Sequence, residues 1–266
     1  MTMARAPQRS APAKIALRTA QALAPFLLLA ALWQTASFSF PKYLFPPLTD
    51  VAAHVIAIFA SWSQFTQVLA TIGRILAGLV GAFVIGAALA AAMMQFRAVD
   101  RFIGPILTFF QGIPALSWVV FAIIWFHGTE PRILFIMTVT ALPAFTFQVL
   151  DPLRGMSKDL VEMVMSLRPT RAKMLRVMIL PAILPDILTA WKVNLGNASR
   201  VVVVAELVGA TGGVGYELLQ QQQVFDMAGA LAWTLQLVFF VLIAQRIIAF
   251  IEARAFRYRA VSERAL

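Results

Sequence analysis

The chain has 266 residues, 61% apolar and 13% charged, with a mean hydropathy of +0.82. Soluble domains are about 45–50% apolar and about 25% charged, so a water-soluble fold, intrinsic disorder and a separate soluble catalytic domain are all excluded. The length suits one membrane domain of about six spans at roughly 20 apolar residues each. The absence of Cys removes disulfides, iron–sulfur clusters and thiol chemistry. The net charge of +10 comes from basic residues lying between apolar segments, which points to membrane loops and not to nucleic acid.

A basic segment with Arg5, Arg9, Lys14 and Arg18 precedes an apolar run from Ala20 to Phe40. This run is too long for a signal peptide and lacks a small-residue cleavage site, so it reads as a retained first helix. Pro41 to Gln64 reads as a loop, with Pro41, Pro46, Pro47 and Asp50. The second span is expected over Phe65 to Phe96, and the third over Phe102 to Phe126 with an interruption at Gly112 and Pro114. The fourth is expected over Ile133 to Leu150. A charged segment, Asp151 to Leu180, comes before a fifth span over Ile183 to Val208 and a sixth over Ala228 to Ala253. In domain terms this gives a tail over 1–19, a first helix and outer loop over 20–64, a membrane core over 65–253 containing the loop 151–180, and a tail over 254–266.

Placing the N-terminus inside puts sixteen of the 22 basic residues on the inner side. They are the four already named, then Arg97, Arg101, Arg154, Lys158, Arg168, Arg171, Lys173, Arg176, Arg254, Arg257, Arg259 and Arg264. The outer loops hold only Lys42 and Arg132, while Arg74, Lys192, Arg200 and Arg246 fall within spans or at their ends. By the positive-inside rule, both termini are expected in the cytoplasm, with an even number of spans.

Within the second span, Gly73, Ala77 and Gly81 form one row of small residues, and Gly78, Ala82, Gly86 and Ala90 form another. Such rows let helix backbones approach closely in lipid. The break at Gln111, Gly112 and Pro114 frees backbone groups that the bilayer tolerates only against protein or a water-filled cavity. It therefore reads either as a simple kink or as part of a pathway. In the fifth span Thr189, Lys192, Gly196, Ser199 and Arg200 fall within a sector of about 100°, with Asn197 at its edge. Charges inside a span face a bundle interior or an aqueous cavity. This stripe reads as pathway lining, against the alternative that Lys192 and Arg200 snorkel to opposite interfaces.

After the fifth span come Glu206, Gly209, Gly212, Gly213, Gly215 and Tyr216. The glycines do not form a phosphate-binding loop, because no Lys in the chain is followed by Ser or Thr. An outer turn or re-entrant gate, beside Glu217 and Asp226, fits better. On the other side, Leu160 to Leu167 is helix-like. Pro169 biases Arg168 away from the right-handed helical region and can begin a second helix, Thr170 to Leu180, which is expected to end at Pro181.

From this point the chain resembles the integral-membrane permeases of binding-protein-dependent ABC importers, in their nitrate/sulfonate/taurine branch. The family's cytoplasmic E-A-A…G motif corresponds to Glu162-Met163-Val164 and then Arg168, followed by Ile179-Leu180-Pro181. Further matches are Gly112 to Trp118, Pro185, Lys192 to Gly196, Val204 to Glu206 and Gly213 to Tyr216, so that the resemblance covers about three quarters of the chain, from Phe65 on.

The resemblance implies an all-α, six-span protein of the bacterial inner membrane, with a short cytoplasmic coupling helix and a glycine-rich outer segment. It implies a permease dimer, homo- or heteromeric, embedded in lipid. It also implies two separate ATPase subunits that bind ATP-Mg, and a periplasmic solute-binding protein. The permease itself then needs no catalytic residue, cofactor or metal. Coupling falls to Glu162, Met163, Val164, Ser166, Leu167, Arg168, Pro169, Thr170 and Arg171. The pathway falls to Gln111, Gly112, Pro114, Thr189, Lys192, Gly196, Asn197, Ser199 and Arg200. The outer gate falls to Glu206, Gly212, Gly213, Gly215 and Tyr216.

Two departures stand out. Met163 and Val164 replace small alanines, and Arg168 replaces a glycine, with Pro169 offering another route to that turn. This fits either a specialised ATPase partner or an inactive subunit paired with a standard one. Arg200 stands where an uncharged residue is expected, and it favours an anion among small polar solutes.

Three rival classes remain open at this stage. An ion-coupled secondary carrier would use buried carboxylates and inverted repeats, but in-span acids are few, Asp186 and Glu206 being those near the ends of the fifth span. An intramembrane protease would need a nucleophile–base pair or an H-E-x-x-H motif, and neither His54 nor His127 supplies one. A purely structural subunit would have no use for a polar stripe or a long cytoplasmic loop.

Overall fold

The computed structural model describes residues 11–255, with side chains described for all of these except residues 11–20, 22, 160, 171 and 255. The tail arginines Arg5, Arg9, Arg257, Arg259 and Arg264, and the side chains of Lys14, Arg18 and Arg171, lie outside this description. Among the described residues there are helices and turns and no strand.

The elements run α1 (Ala11–Ser39), α2 (Leu48–Ala60), α3 (Trp62–Gln95), α4 (Arg97–Gly112), α5 (Ala115–Trp125) and α6 (Thr129–Arg154). They continue with α7 (Lys158–Ser166), α8 (Arg171–Met174), a π-helical stretch (Leu175–Ile179), α9 (Leu180–Gly209), α10 (Val214–Gln223) and α11 (Met227–Ala255). Four stretches are long and apolar enough to cross a membrane: Trp62–Gln95, Thr129–Arg154, Ala172–Gly209 and Met227–Arg254. The pair α4–α5 makes a fifth if it is counted as one span, and α1 contributes a shorter apolar stretch, Leu23–Ser39.

The bundle is built on α3 against α6, the most extensive helix contact, with α9 packed beside α6. Close approach is physical here, because lipid gives helices no hydrophobic reason to associate and packing must supply it. A Cβ on Gly78 would strike Met137, and one on Gly86 would press on Thr146 and Phe145. Gly78, Ala82, Gly86 and Ala90 are all buried. The other small-residue row does not pack: Gly73 and Ala77 are exposed, and a Cβ on Gly73 would meet nothing. Phe83, Phe145 and Trp191 join α3, α6 and α9 through ring contacts of 5.4–5.5 Å. At the C-terminal end of α6, Arg154 pairs with Asp100 at the start of α4.

Three local expectations are corrected. The segment Pro41 to Gln64 is not all loop. Its prolines are confined to 41–47, Pro47 forms the N-cap with ψ 148°, and α2 follows with Asp50 in its first turn. The α2 helix packs against α11, where His54 Nε2 lies 3.1 Å from Asp226.

The third span is not a kinked rod, because α4 and α5 meet at 98°. Ile113 and Pro114 are extended there, with ψ 124° and 139°.

The helix that follows Thr170 does not end at Pro181. The stretch from Ala172 to Gly209 is continuous. In the π-helical stretch Leu180 N–H reaches Leu175 O, five residues back, and the wider turn accommodates a proline ring that would clash in an α-helix.

Candidate functional site

Three features gather the residues singled out from sequence: a helical hairpin over residues 158–174, a cavity at the α4–α5 break, and a buried polar cluster beneath the glycine-rich turn.

The hairpin begins with α7, which has no extensive contact with any other helix. Glu162 is exposed, and so are Met163 at 60%, Met165 at 54% and Leu167 at 78%. Arg168 has φ 47°, the left-handed region. Its N–H donates to Met165 O at 2.9 Å, which is half of a glycine-type helix ending. The other half needs an N–H from the next residue, and Pro169 has none. Arg168 thus adopts the turn that a glycine would take without strain, at a cost of about 1–2 kcal/mol. Ser166 Oγ donates to Met163 O at 2.7 Å, and Thr170 Oγ1 accepts from Lys173 N–H at 3.3 Å as an N-cap for α8. Val164 and Pro169 are half-buried.

The cavity measures about 420 Å³ and lies between the α4–α5 break, α6 and α9. Gln111 and Pro114 line it from the break, Thr140 from α6, and Asn194, Asn197 and Arg200 from α9. Gln111, Pro114, Asn197 and Arg200, singled out from the sequence, thus line one space, with Gly112 exposed beside them.

The rest of the α9 stripe points elsewhere. Lys192 pairs with Glu252 of α11, and Gly196 faces Gln245. The hydroxyls of Thr189 and Ser199 are spent on the carbonyls of Pro185 and Gly196 in their own helix. A 100° sector spans two neighbours, and the helix turns its Lys192 edge to α11. Sequence reasoning missed Thr140 and gave no role to Asn194. Asn194 is buried and donates to Gln148 Oε1 at 2.6 Å and to Ala190 O at 2.9 Å.

The polar cluster centres on Glu206, which has no exposure. Arg74 Nη1 donates to it at 2.7 Å, Gly215 N–H at 2.8 Å, and Thr71 Oγ1 lies 2.8 and 3.0 Å from its two oxygens. Arg74 also donates to Gly212 O at 2.8 Å and, through Nε and Nη2, to Glu130 at 3.1 and 2.5 Å. Gly213 N–H reaches Gln67 Oε1, and Val214 N–H reaches Thr71 Oγ1, each at 2.8 Å.

Gly213 has φ 111°, and a Cβ there would strike Glu206 and Arg74. One on Gly215 would strike Val203 O and Glu206. Gly213 thus requires glycine on both conformational and steric grounds, and Gly215 on steric grounds alone. Arg132 holds the end of α9 by donating to Gly209 O at 2.8 Å and Phe126 O at 3.1 Å.

Glu206, Gly212, Gly213 and Gly215 thus come together, with Tyr216 half-buried on the first turn of α10. Gln67, Thr71, Arg74 and Glu130 are the partners that the sequence did not reveal. An arginine inside an apolar span must find an anion, and that rule would have linked Arg74 to Glu206. Among the described residues no group of His, Asp and Glu could hold a metal ion.

Residues 82–257 match the family profile described as binding-protein-dependent transport system inner membrane component. The chain is 29% identical over 197 residues, 71% of each chain, to the taurine transport system permease protein TauC of Escherichia coli. It is 27% identical over 220 residues, 81% of this chain and 87% of the relative, to the formylaminopyrimidine transport permease protein ThiX of Halalkalibacterium halodurans. It is 26% identical over 167 residues, 61% and 60% of the two chains, to the bicarbonate transport system permease protein CmpB of Synechococcus elongatus. The fold is shared with a chain of the MetNI methionine ABC transporter in an inward-facing conformation, at a TM-score of 0.57 and 19% identity over 74% of this chain and 98% of that one.

The chain therefore belongs to the family of binding-protein-dependent transport system inner membrane components. It is a multi-pass inner-membrane permease of the ABC importers and not an enzyme, since ATP hydrolysis in these systems lies on separate subunits. The carrier, protease and structural-subunit readings are set aside by this membership.

Proposed function

We propose that this permease works as a homo- or heterodimer, carries a small polar solute through the space beside the α4–α5 break, and is driven through α7. Two ATPase subunits that bind ATP-Mg engage α7 from the cytoplasm. A periplasmic binding protein delivers solute to the opposite face. Both chain termini are cytoplasmic, α1 is the first of six spans, and the glycine-rich turn lies at the outer end of α9 as part of the gate.

The observation that carries this reading is α7 itself. It is a nine-residue helix with exposed Met163, Met165 and Leu167, and among the described residues no other helix packs extensively against it. Its turn runs through Thr170 into the continuous helix Ala172–Gly209. A displacement at α7 is thus transmitted along a rigid rod into the bundle, past Asn197 and Arg200, to the Glu206 cluster. The outward surfaces of α1 and α11, with Phe26, Leu27, Leu242 and Phe250 all more than half exposed, suit contact with lipid.

The test is to purify the tagged chain from its native membranes in mild detergent, identify what accompanies it by mass spectrometry, and measure ATP hydrolysis. A co-purifying ATPase subunit, lost from Glu162→Ala while the permease keeps its elution profile, is the expected result. A well-folded permease with no ATPase partner would overturn the coupling assignment.

A further inference from the structure

Among the described residues, Arg200 is a span cation that lines a cavity without a carboxylate partner. Elsewhere in the spans, Arg74 holds Glu130 and Glu206, Lys192 holds Glu252, and Arg132 holds two carbonyls. Arg246 lies six residues before Glu252 on α11, away from the cavity at the break. Arg200 has one contact, to Asn197 Oδ1 at 3.5 Å, and no carboxylate lines its cavity. It sits nine residues before Gly209, about 14 Å along the helix, close to half of a hydrocarbon core of roughly 30 Å. Placing an arginine at such a depth is costly on insertion scales. A membrane protein bears that cost where the charge has work to do.

The neutral groups around it favour the same ligand chemistry. Thr140 gives its hydroxyl proton to its own helix, and Asn194 spends its amide protons on Gln148 and Ala190. Gln111 and Asn197 keep amide N–H groups that can supplement the guanidinium. One cation with neutral donors and no acid is the composition for an oxyanion, because a cationic ligand would require carboxylates.

Arg200 also borders a second, apolar cavity of about 250 Å³, walled by Leu116, Val119 and Val204. Building on the transport reading above, we propose that Arg200 anchors a small organic oxyanion, a carboxylate or sulfonate, with its head at Gln111 and Asn197 and its short apolar tail against Leu116 and Val204. Arg200 is then a specificity-determining residue of the permease itself, in addition to any selection by a binding protein.

The test uses the intact complex in lipid nanodiscs and follows the melting temperature of the permease during ligand titration. The probes are butyrate, its neutral isostere butyramide, butanesulfonate and the tail-less acetate. Butyrate or butanesulfonate should stabilise saturably. Butyramide should bind at least about tenfold more weakly, in keeping with the worth of a charge-assisted hydrogen bond. Acetate should fall between them.

Arg200→Gln should erase the preference for the charged ligand while the complex still assembles, and Arg200→Lys should keep part of it. Preference for carboxylate over sulfonate, or the reverse, identifies which head group the site takes. Equal effects of butyrate and butyramide on the wild type, or an unchanged preference in Arg200→Gln, would overturn the proposal. So would loss of assembly in both Arg200 variants, which would assign the residue to packing. If the ligand preference holds but no ATPase accompanies the permease, the site stands and the coupling reading falls.

Discussion

Arg74 and Arg200 both stand within apolar helices of this chain, and their surroundings are opposite. Arg74 is nearly buried and bonds Glu206, Glu130 and Gly212 O, so that every part of its guanidinium faces an acceptor. Arg200 is exposed to a cavity and touches one amide oxygen. A charge that is fully paired inside the bilayer holds structure in place, in this case a glycine-rich turn against α3. A charge left without a partner beside an open space is available to something that comes and goes. This contrast separates scaffold from path inside one small bundle.

The largest way to break the contrast is to remove the anion from the paired side. Glu206→Ala leaves Arg74 with only the exposed Glu130 as its anion and strips Thr71 and the Gly215 N–H of their buried acceptor, and should cost about 3–5 kcal/mol of stability. The measure is thermal unfolding of the purified protein. Replacing both members, Glu206→Leu with Arg74→Met, should recover much of that loss, because it is the stranded charge that is expensive.

Gly213→Ala comes next. It places a Cβ against Glu206 and Arg74 at φ 111°, and should cost about 2 kcal/mol or more. Increased hydrogen exchange at Gly213 and Val214, whose amides bond Gln67 and Thr71, would report it.

A smaller change, in the opposite direction, is expected at the helical hairpin. Arg168→Gly should relieve about 1 kcal/mol of left-handed strain, slowing amide exchange at Leu167 and Arg168 by about fivefold. Unaltered exchange there would show that the turn carries no strain.

The smallest effect belongs to Glu217 on α10, where burial pushes the carboxyl above the ordinary carboxylate value. The native state then holds its proton to higher pH than the unfolded chain does, so this residue's contribution to stability declines as pH rises above the unfolded value. Glu217→Gln should slightly raise the melting temperature at pH 7 and flatten its decline with pH. A steeper decline would contradict the assignment.

Much of the bundle was legible because span lengths and small-residue spacing are local signals. The second, fourth and sixth spans were expected within a few residues of α3, α6 and α11. The position of the break at Gly112 and Pro114 was legible, though not its 98° angle, since proline and glycine act on their own backbone. The turn at Arg168 and Pro169 was expected for the same reason.

What the sequence hid depends on neighbours. The α2 helix was obscured by prolines that in fact cap it. Pro181 looked like a terminator because its compensation, a π-helical turn, is a property of the five residues before it. Lys192 and Arg200 share a helix sector, yet only the packing of α11 decides that one meets Glu252 and the other a cavity. The pairing of Arg74 with Glu206, 132 residues apart, has no local trace at all.

The most direct test of this division sets Arg74→Gln beside Arg200→Gln and compares their unfolding in the same detergent and lipid. Arg74→Gln should lose about 3–5 kcal/mol by stranding Glu206, while Arg200→Gln should match or exceed the wild type in stability, since it removes an uncompensated charge. Equal destabilisation by the two substitutions would contradict the account, because both arginines would then be structural.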